Sequence, residues 1–324
     1  MTQPRGHYYD ISDNIQMGGE MHRTVYPVSE HAVRTFSENS NEIAKRNQLD
    51  ERFEDSGAAV SFFYAERLDG ASSDSSVVFK PRHGNTPKHF EYSFDGLGGW
   101  IPITVSDEIV RVAMKAGFER MYIRGCNDTL NVFPEETDNG MAILFDFDCA
   151  VGGDITTLLD MRGGLRCVPS FAFYGLFAGC ERLVDASELV IDVAMAGDYA
   201  FGGMFNGAVS MSTGPRRVSC RIPREGTMAA MFGECRILTE SPNIYIPKVM
   251  TRGLVRDMFS NCGALRKVTV SHPNGLIWDS QASQGWLDNV DTSGVIYGLS
   301  GVGGVPSNSG NGCPVGWTVA PPNQ

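Results

Sequence analysis

Asp146 and Asp148 are the nearest this sequence comes to a catalytic pair. On a strand, side chains two apart share a face, which is the spacing of a general acid and base or of two metal ligands. No histidine or third carboxylate is tied to them by spacing, so they read better as solvated acids on a β face. His272 follows Cys262 by ten residues, but one Cys and one His do not make a metal site. The six histidines are scattered and form no Ser/His/Asp or Cys/His pattern. Gly96–Gly99 and Gly298–Gly304 lack the strand-to-helix setting and the lysine of a phosphate cradle. The eight cysteines (Cys126, Cys149, Cys167, Cys180, Cys220, Cys235, Cys262 and Cys313) include no CxxC, so neither a zinc site nor a disulfide framework is expected. The expectation is a non-enzymatic chain with no catalytic residue, no cofactor and no metal.

Composition narrows the alternatives. The net charge is −11, and no basic stripe is present to neutralise phosphates, so a nucleic-acid partner is not expected. No apolar run reaches the ~18 residues that would cross a membrane as a helix. The 37 glycines among 324 residues exceed the usual ~7% and suit a fold with many tight turns. With chemistry set aside, surface remains, and three aromatics are candidates to stack on sugar rings: Tyr245, Tyr297 and Trp278. Each is equally well placed to complete a core or a cap, and no binding site is assigned.

The elements that would position such a surface come from a repeat. Apolar residues fall at Phe173, Leu176, Phe177 and Cys180, then at Phe201, Met204, Phe205 and Ala208. They recur at Met228, Met231, Phe232 and Cys235, and at Val255, Met258, Phe259 and Cys262. The second Phe of each set (177, 205, 232, 259) recurs after 28, 27 and 27 residues, and an aliphatic follows six later at Leu183, Met211, Leu238 and Leu265. The spacing i, i+3, i+4, i+7 predicts one buried face of a two-turn helix. β-prone runs follow at Leu189–Ile191, Val218–Ile222, Ile244–Ile246 and Val268–Val270, with Pro215 and Pro242 marking the entry to two of them. A period in the twenties has the size of a leucine-rich repeat. Units this short must bury their apolar faces against neighbours, so the expected form is a solenoid of about four coils of 27–28 residues. The small fourth residue (Cys180, Ala208, Cys235, Cys262) is expected where coils approach closely.

The segments Gly175–Leu183, Met231–Leu238 and Met258–Leu265 (GLFAGCERL, MFGECRIL, MFSNCGAL) resemble the MFxGCxxL core of BspA-like leucine-rich repeats. Trp286–Val290, Gly294–Tyr297 and Pro314–Val319 (WLDNV, GVIY, PVGWTV) resemble the ending that closes many such arrays in gut Bacteroides proteins and their phages. Phe90–Trp100 and Met121–Asn127 (FEYSFDGLGGW, MYIRGCN) resemble the β-rich module that precedes the array in those proteins. The second repeat departs from the pattern, with Ala208 in place of Cys and Arg216–Arg217 in its turn. The resemblance implies a bacteriophage virion protein of the head- or tail-fibre or decoration type; the alternatives are a bacterial cell-surface adhesin of BspA type and a purely structural capsid cement protein that binds no host ligand. Met1–Asn14 lacks the apolar stretch of a secretory signal, which favours assembly in the host cytoplasm into a virion. The resemblance further implies adhesion to host-surface or mucosal glycans or proteins.

The expected class is α+β, in four parts: an extended and helical anchoring segment over 1–57, an antiparallel, sandwich-like β module over 58–150, the solenoid over 151–285, and a closing segment over 286–324. Ser29 caps an expected helix to Asp55, with Val33, Phe36, Ile43, Leu49 and Phe53 as a thin apolar stripe. That helix is the expected contact with other virion proteins and the seat of a dimer or trimer. Strands are expected at Val60–Tyr64, Ser76–Phe79, Phe90–Phe94, Ile101–Val105, Arg120–Ile123 and Ala142–Phe147, with a short helix within Val105–Ala116. Ile155, Leu158, Leu159 and Leu165 are expected to cap the first coil, and Trp286 and Trp317 to shield the far end.

Overall fold

A computed structural model describes residues 61–68, 75–82, 87–131 and 140–322. The helix expected over Ser29–Asp55, and the anchoring segment 1–57 with it, lie outside the described residues. Eight strands come first: β1 (Phe63–Arg67), β2 (Ser76–Arg82), β3 (Lys88–Ser93), β4 (Ile101–Val105), β5 (Val110–Ala113), β6 (Arg120–Gly125), β7 (Gly140–Phe145) and β8 (Cys149–Asp154). Seven follow: β9 (Cys167–Val168), β10 (Leu183–Ala196), β11 (Arg217–Ile222), β12 (Glu240–Tyr245), β13 (Lys267–Ser271), β14 (Gly294–Tyr297) and β15 (Trp317–Ala320).

The β module is antiparallel, as expected. One layer is β5-β2-β7 and the other β8-β1-β6-β3-β4. Their inner faces meet through rings such as Phe79 and Phe90, 5.2 Å apart. Two expectations fail in this module. The segment read as a short helix holds β5, whose Val112 alternates inward between exposed Arg111 and Ala113. Asp146 and Asp148 lie between β7 and β8 rather than on a strand.

At β8 the pairing changes sense. It runs antiparallel to β1 and parallel to β10, and β10 to β15 then pair in sequence order, each parallel to the last. One sheet therefore runs unbroken from the module through the array, across the boundary expected at residue 150 and into the segment read as a closure. The solenoid has about six turns, not four. The strands outside the four MFxGC coils, β8 before them and β14 and β15 after them, carry the array on without that signature.

Among the described residues the repeat connections between strands are not helices; apart from one 3-10 turn at Ile155–Leu158, the fold is mostly β with almost no helix rather than α+β. Within Phe171–Cys180, every second N–H bonds three residues back: Tyr174 to the Phe171 carbonyl (3.1 Å), Leu176 to Phe173 (3.2 Å), Ala178 to Gly175 (3.0 Å) and Cys180 to Phe177 (3.1 Å). The intervening N–H groups bond the next coil: Phe173 to the Ala200 carbonyl (2.8 Å), Gly175 to Gly202 (2.9 Å), Phe177 to Met204 (2.8 Å) and Gly179 to Asn206 (2.7 Å). The same alternation repeats through Asn261. Each run is a train of tight turns stacked on the next, and its backbone groups are satisfied without helix or strand.

A left-handed residue at every fourth position makes this possible. Gly175 and Gly179 are followed by Gly203 and Gly207, then by Gly226, Ala230 and Glu234, Gly253, Asp257 and Asn261, and finally Gly285 and Asn289, all at positive φ. Because the turn train repeats every four residues, side chains at i, i+3, i+4 and i+7 still point inward, as they would on a helix.

Inside, the expected ladder of rings is present. Phe177 and Phe205 stack at 5.5 Å, Phe205 and Phe232 at 5.3 Å, and Phe232 and Phe259 at 5.4 Å, all within 17° of parallel. Phe63 of the module continues it, 5.9 Å from Phe177. Opposite the rings, Ile191, Val218, Ile244 and Val270 form a buried row in register across β10 to β13. Ile155, Leu158 and Leu159 close the first coil, fully or nearly buried, with Leu165 packed beside them. Trp286 and Trp317 are buried at the other end, as expected.

Candidate functional site

The residues with chemical potential are held apart. Asp146 Oδ1 accepts from the Ser76 N–H at 2.5 Å and its Oδ2 lies 3.4 Å from Arg111, whereas Asp148 accepts from Arg182 at 3.0 Å. Each carboxylate thus has its own guanidinium, and the two do not form a dyad. Cys262 donates its thiol to the Phe232 carbonyl at 3.0 Å inside the core. His272 sits in the loop after β13, with Nε2 2.7 Å from the Gly298 carbonyl and Nδ1 2.9 Å from that of Pro273. The Gly96–Gly99 turn is organised by Asp95, whose Oδ1 accepts from the Leu97 and Gly98 N–H groups (2.9 and 3.2 Å). Those bonds hold the Asp95 carboxyl below the usual range. Among the described residues, no three of His, Cys, Asp and Glu stand close enough to share a metal ion.

Burial governs the cysteines. All eight are free, and seven are buried. Loss of water pushes the Cys220 and Cys262 thiols up to about 12 and raises Cys235 strongly. The fourth position of the repeat is more than a small filler: Cys235 donates to the Phe205 carbonyl at 3.3 Å, as Cys262 does to Phe232.

What the fold does assemble is an outward face on the parallel sheet. β12 and β13 alternate, so one set of side chains enters the core and the other faces out, and exposed Arg217 on β11 and half-buried Tyr297 on β14 continue the outer set. Register places Arg217, Asn243, Thr269, Tyr297 and Ala320 side by side across five strands, a row with ~4.8 Å between neighbours. A second row sets Tyr245 beside Ser271. Tyr245 and Tyr297 are both half-buried. Asn243 Oδ1 and Ser271 Oγ lie buried in these rows and make no hydrogen bond among the described residues.

Charge at the margins of this face is largely paired between coils. Arg216 meets Glu188, Lys267 meets Glu240 at 2.8 Å, and Arg266 meets Asp291 at 3.0 Å. Such exposed pairs add little stability, ~0–1 kcal/mol each, but they leave the rows themselves polar and nearly neutral.

Two of the three aromatics singled out from the sequence therefore reach the outward face. Trp278 does not. It is 4% exposed, donates from Nε1 to the Asn311 carbonyl at 2.9 Å, and packs 4.8 Å from Trp286 in the terminal cap. Arg217, Asn243 and Thr269 were not foreseen. Their spacing of 26 and 26 residues is the repeat period carried by polar side chains, which an apolar search passes over. No family model, curated protein or solved structure matches the chain.

Proposed function

We propose that this chain is a bacteriophage virion protein, a head- or tail-fibre or decoration subunit, that displays its solenoid for adhesion to host-surface or mucosal glycans or proteins. The observation that carries the adhesive part is the outward row of Arg217, Asn243, Thr269 and Tyr297 with Tyr245 and Ser271 beside it. A rigid sheet holds donors, acceptors and half-buried rings at one spacing, which is how a surface recognises a repeating polar polymer at low ordering cost. The virion assignment is carried by the resemblance of the MFxGC segments and the Gly-Trp-Thr-Val ending to BspA-like arrays of gut phages. In this reading residues 1–57 join the subunit to other virion proteins, with Ser29–Asp55 pairing two or three copies.

Two measurements on the full chain test it. Immunogold labelling of purified particles is expected to decorate heads or tails. Label confined to the bacterial envelope would replace the virion reading with a cell-surface adhesin. Binding to arrays of mucin O-glycans, bacterial surface polysaccharides and host envelope proteins is expected. Label on particles with no binding to any of these would leave a capsid cement and remove adhesion.

A further inference from the structure

β11 carries a feature that the repeat does not account for, the Arg216–Arg217 pair of the second unit. Register divides the two. Arg216 reaches back to Glu188 on the coil before it. Arg217 heads the outward row it shares with Asn243, Thr269 and Tyr297. Arg221, four residues on and so on the same face of the strand, is exposed with it.

Both guanidiniums are unpaired. Six other arginines of the array each meet a carboxylate, whereas Arg217 and Arg221 make no ion pair and no side-chain hydrogen bond among the described residues. Exposure alone would assign them no role. Their setting does: in a chain of net charge −11, with 38 acids to 27 bases, one strand keeps two cations free on one face. Asp192 of β10 is the acid that register brings here. It stands opposite Ser219, between the two arginines and on the side away from Asn243, exposed and in no ion pair among the described residues.

We propose that Arg217 binds the acidic group of a glycan, a carboxylate or a sulfate, with the sugar hydroxyls lying along Asn243 and Thr269 towards Tyr297. The proposal rests on the adhesive reading above and gives it an anchor and a ligand class. A guanidinium offers two parallel N–H bonds to such an oxyanion, a fit that a lysine lacks. Arg221, ~13 Å further along the strand, adds an attraction that salt screens. The rest of the row is neutral and carries amide and hydroxyl groups, which suits sugar hydroxyls rather than further charge. An acidic peptide would have to bind by side chains alone, because these inner strands are paired on both edges and leave no backbone ladder to extend.

The test titrates the full chain with sialylated, sulfated and uronic-acid glycans, and with the same glycans after sialidase treatment, desulfation or carboxyl reduction. Wild type is expected to bind at least one acidic glycan about tenfold more tightly than its neutralised form, and to lose that margin as NaCl rises. Whichever treatment removes the preference supports the site and names its acid. Arg217→Gln is an exposed change that leaves the fold intact. It is expected to weaken acidic binding about tenfold and leave neutral binding unchanged, with Arg221→Gln costing about threefold. Asp192→Asn is expected to tighten acidic binding about twofold, which a merely structural role would not produce. Equal binding to acidic and neutralised glycans, or an Arg217→Gln variant that keeps the preference, would overturn the site and leave adhesion standing. No binding by wild type to any glycan or host envelope protein would overturn both. Arg217-dependent binding to envelope proteins stripped of glycans, in place of the acidic glycans, would overturn the saccharide assignment.

Discussion

Replacing Gly203 by alanine separates a turn train from a helix by the sign of its effect. Gly203 sits at φ 57 within the second train, and its N–H donates to the Ala229 carbonyl at 2.7 Å, which fixes that conformation. An added Cβ meets nothing closer than Asn206 Cβ at 3.9 Å, so packing neither rewards nor punishes it. In a helix the change would gain ~1 kcal/mol. At a left-handed position the Cβ costs ~1–2 kcal/mol, offset by ~0.4–1 kcal/mol from a stiffer unfolded chain. The net is a loss of about 1 kcal/mol, seen as a lower urea midpoint at unchanged slope and a melting temperature down by about 2 °C. Gly179→Ala (φ 69, nothing within 4 Å of its Cβ) is an independent replicate. Stabilisation in both variants, read by far-UV circular dichroism, would refute the turn train.

Phe232→Ala removes a fully buried ring stacked on two neighbours and is expected to cost about 4–5 kcal/mol, against about 1.5 kcal/mol for Phe232→Leu, by chemical denaturation. A near-equal cost for the two would count against a ring ladder. Iodoacetamide applied to the native protein is expected to label exposed Cys126 and spare the seven buried thiols until unfolding, as mass spectrometry of peptides would show. Burial lowers Lys88 to about 8, opposed by Asp128. Its folded value lies below the unfolded ~10.4, so the unfolded chain holds more protons between the two. Stability is then expected to rise with pH from about 8 to 10, by on the order of 2–3 kcal/mol, and Lys88→Met should flatten that slope in urea titrations.

The repeat was legible because apolar residues recur at a fixed period, and so were the strands that alternate cleanly, such as Ile101–Val105. The helix reading failed because i, i+3, i+4, i+7 is ambiguous: a four-residue turn repeat produces it as readily as a 3.6-residue helix. The discriminating signal was present in the glycines. Gly175 with Gly179, and Gly203 with Gly207, put two glycines one turn apart in the same nine-residue unit, a penalty of ~2 kcal/mol for a helix. Asp257, Asn261 and Asn289, residue types that accept a left-handed backbone, hold the same phase later on. The outward row was harder to see, because nothing in the identity of Arg217, Asn243 or Thr269 marks them apart from register. The added turns escaped because their buried side chains, Ile155, Leu158 and Leu159 at one end and Trp286 and Trp317 at the other, do not follow the MFxGC core.

The turn trains also explain why the array needs the parts at its two ends. Within the turn trains every bond between coils runs the same way, from an N–H of one coil to a carbonyl of the next, so the stack of trains has a polarity. Its first coil presents carbonyls with no earlier coil to serve them, and its last presents N–H groups with no later one; buried and unpaired, each would cost ~1–3 kcal/mol. The β module supplies donors: the Leu130 N–H reaches the Ala172 carbonyl at 3.1 Å, the Ile143 N–H reaches Leu176 at 2.8 Å, and the Asn131 amide reaches Tyr174 between them. The C-terminal segment supplies acceptors: the Gly310 carbonyl takes the Leu287 N–H at 3.0 Å and Asn311 Oδ1 takes that of Gly285 at 2.8 Å. A coil can therefore be added or deleted in the middle with its bonds intact. Removing either end strands a row of unpaired backbone, which is why both termini of the array depart from the repeat that lies between them.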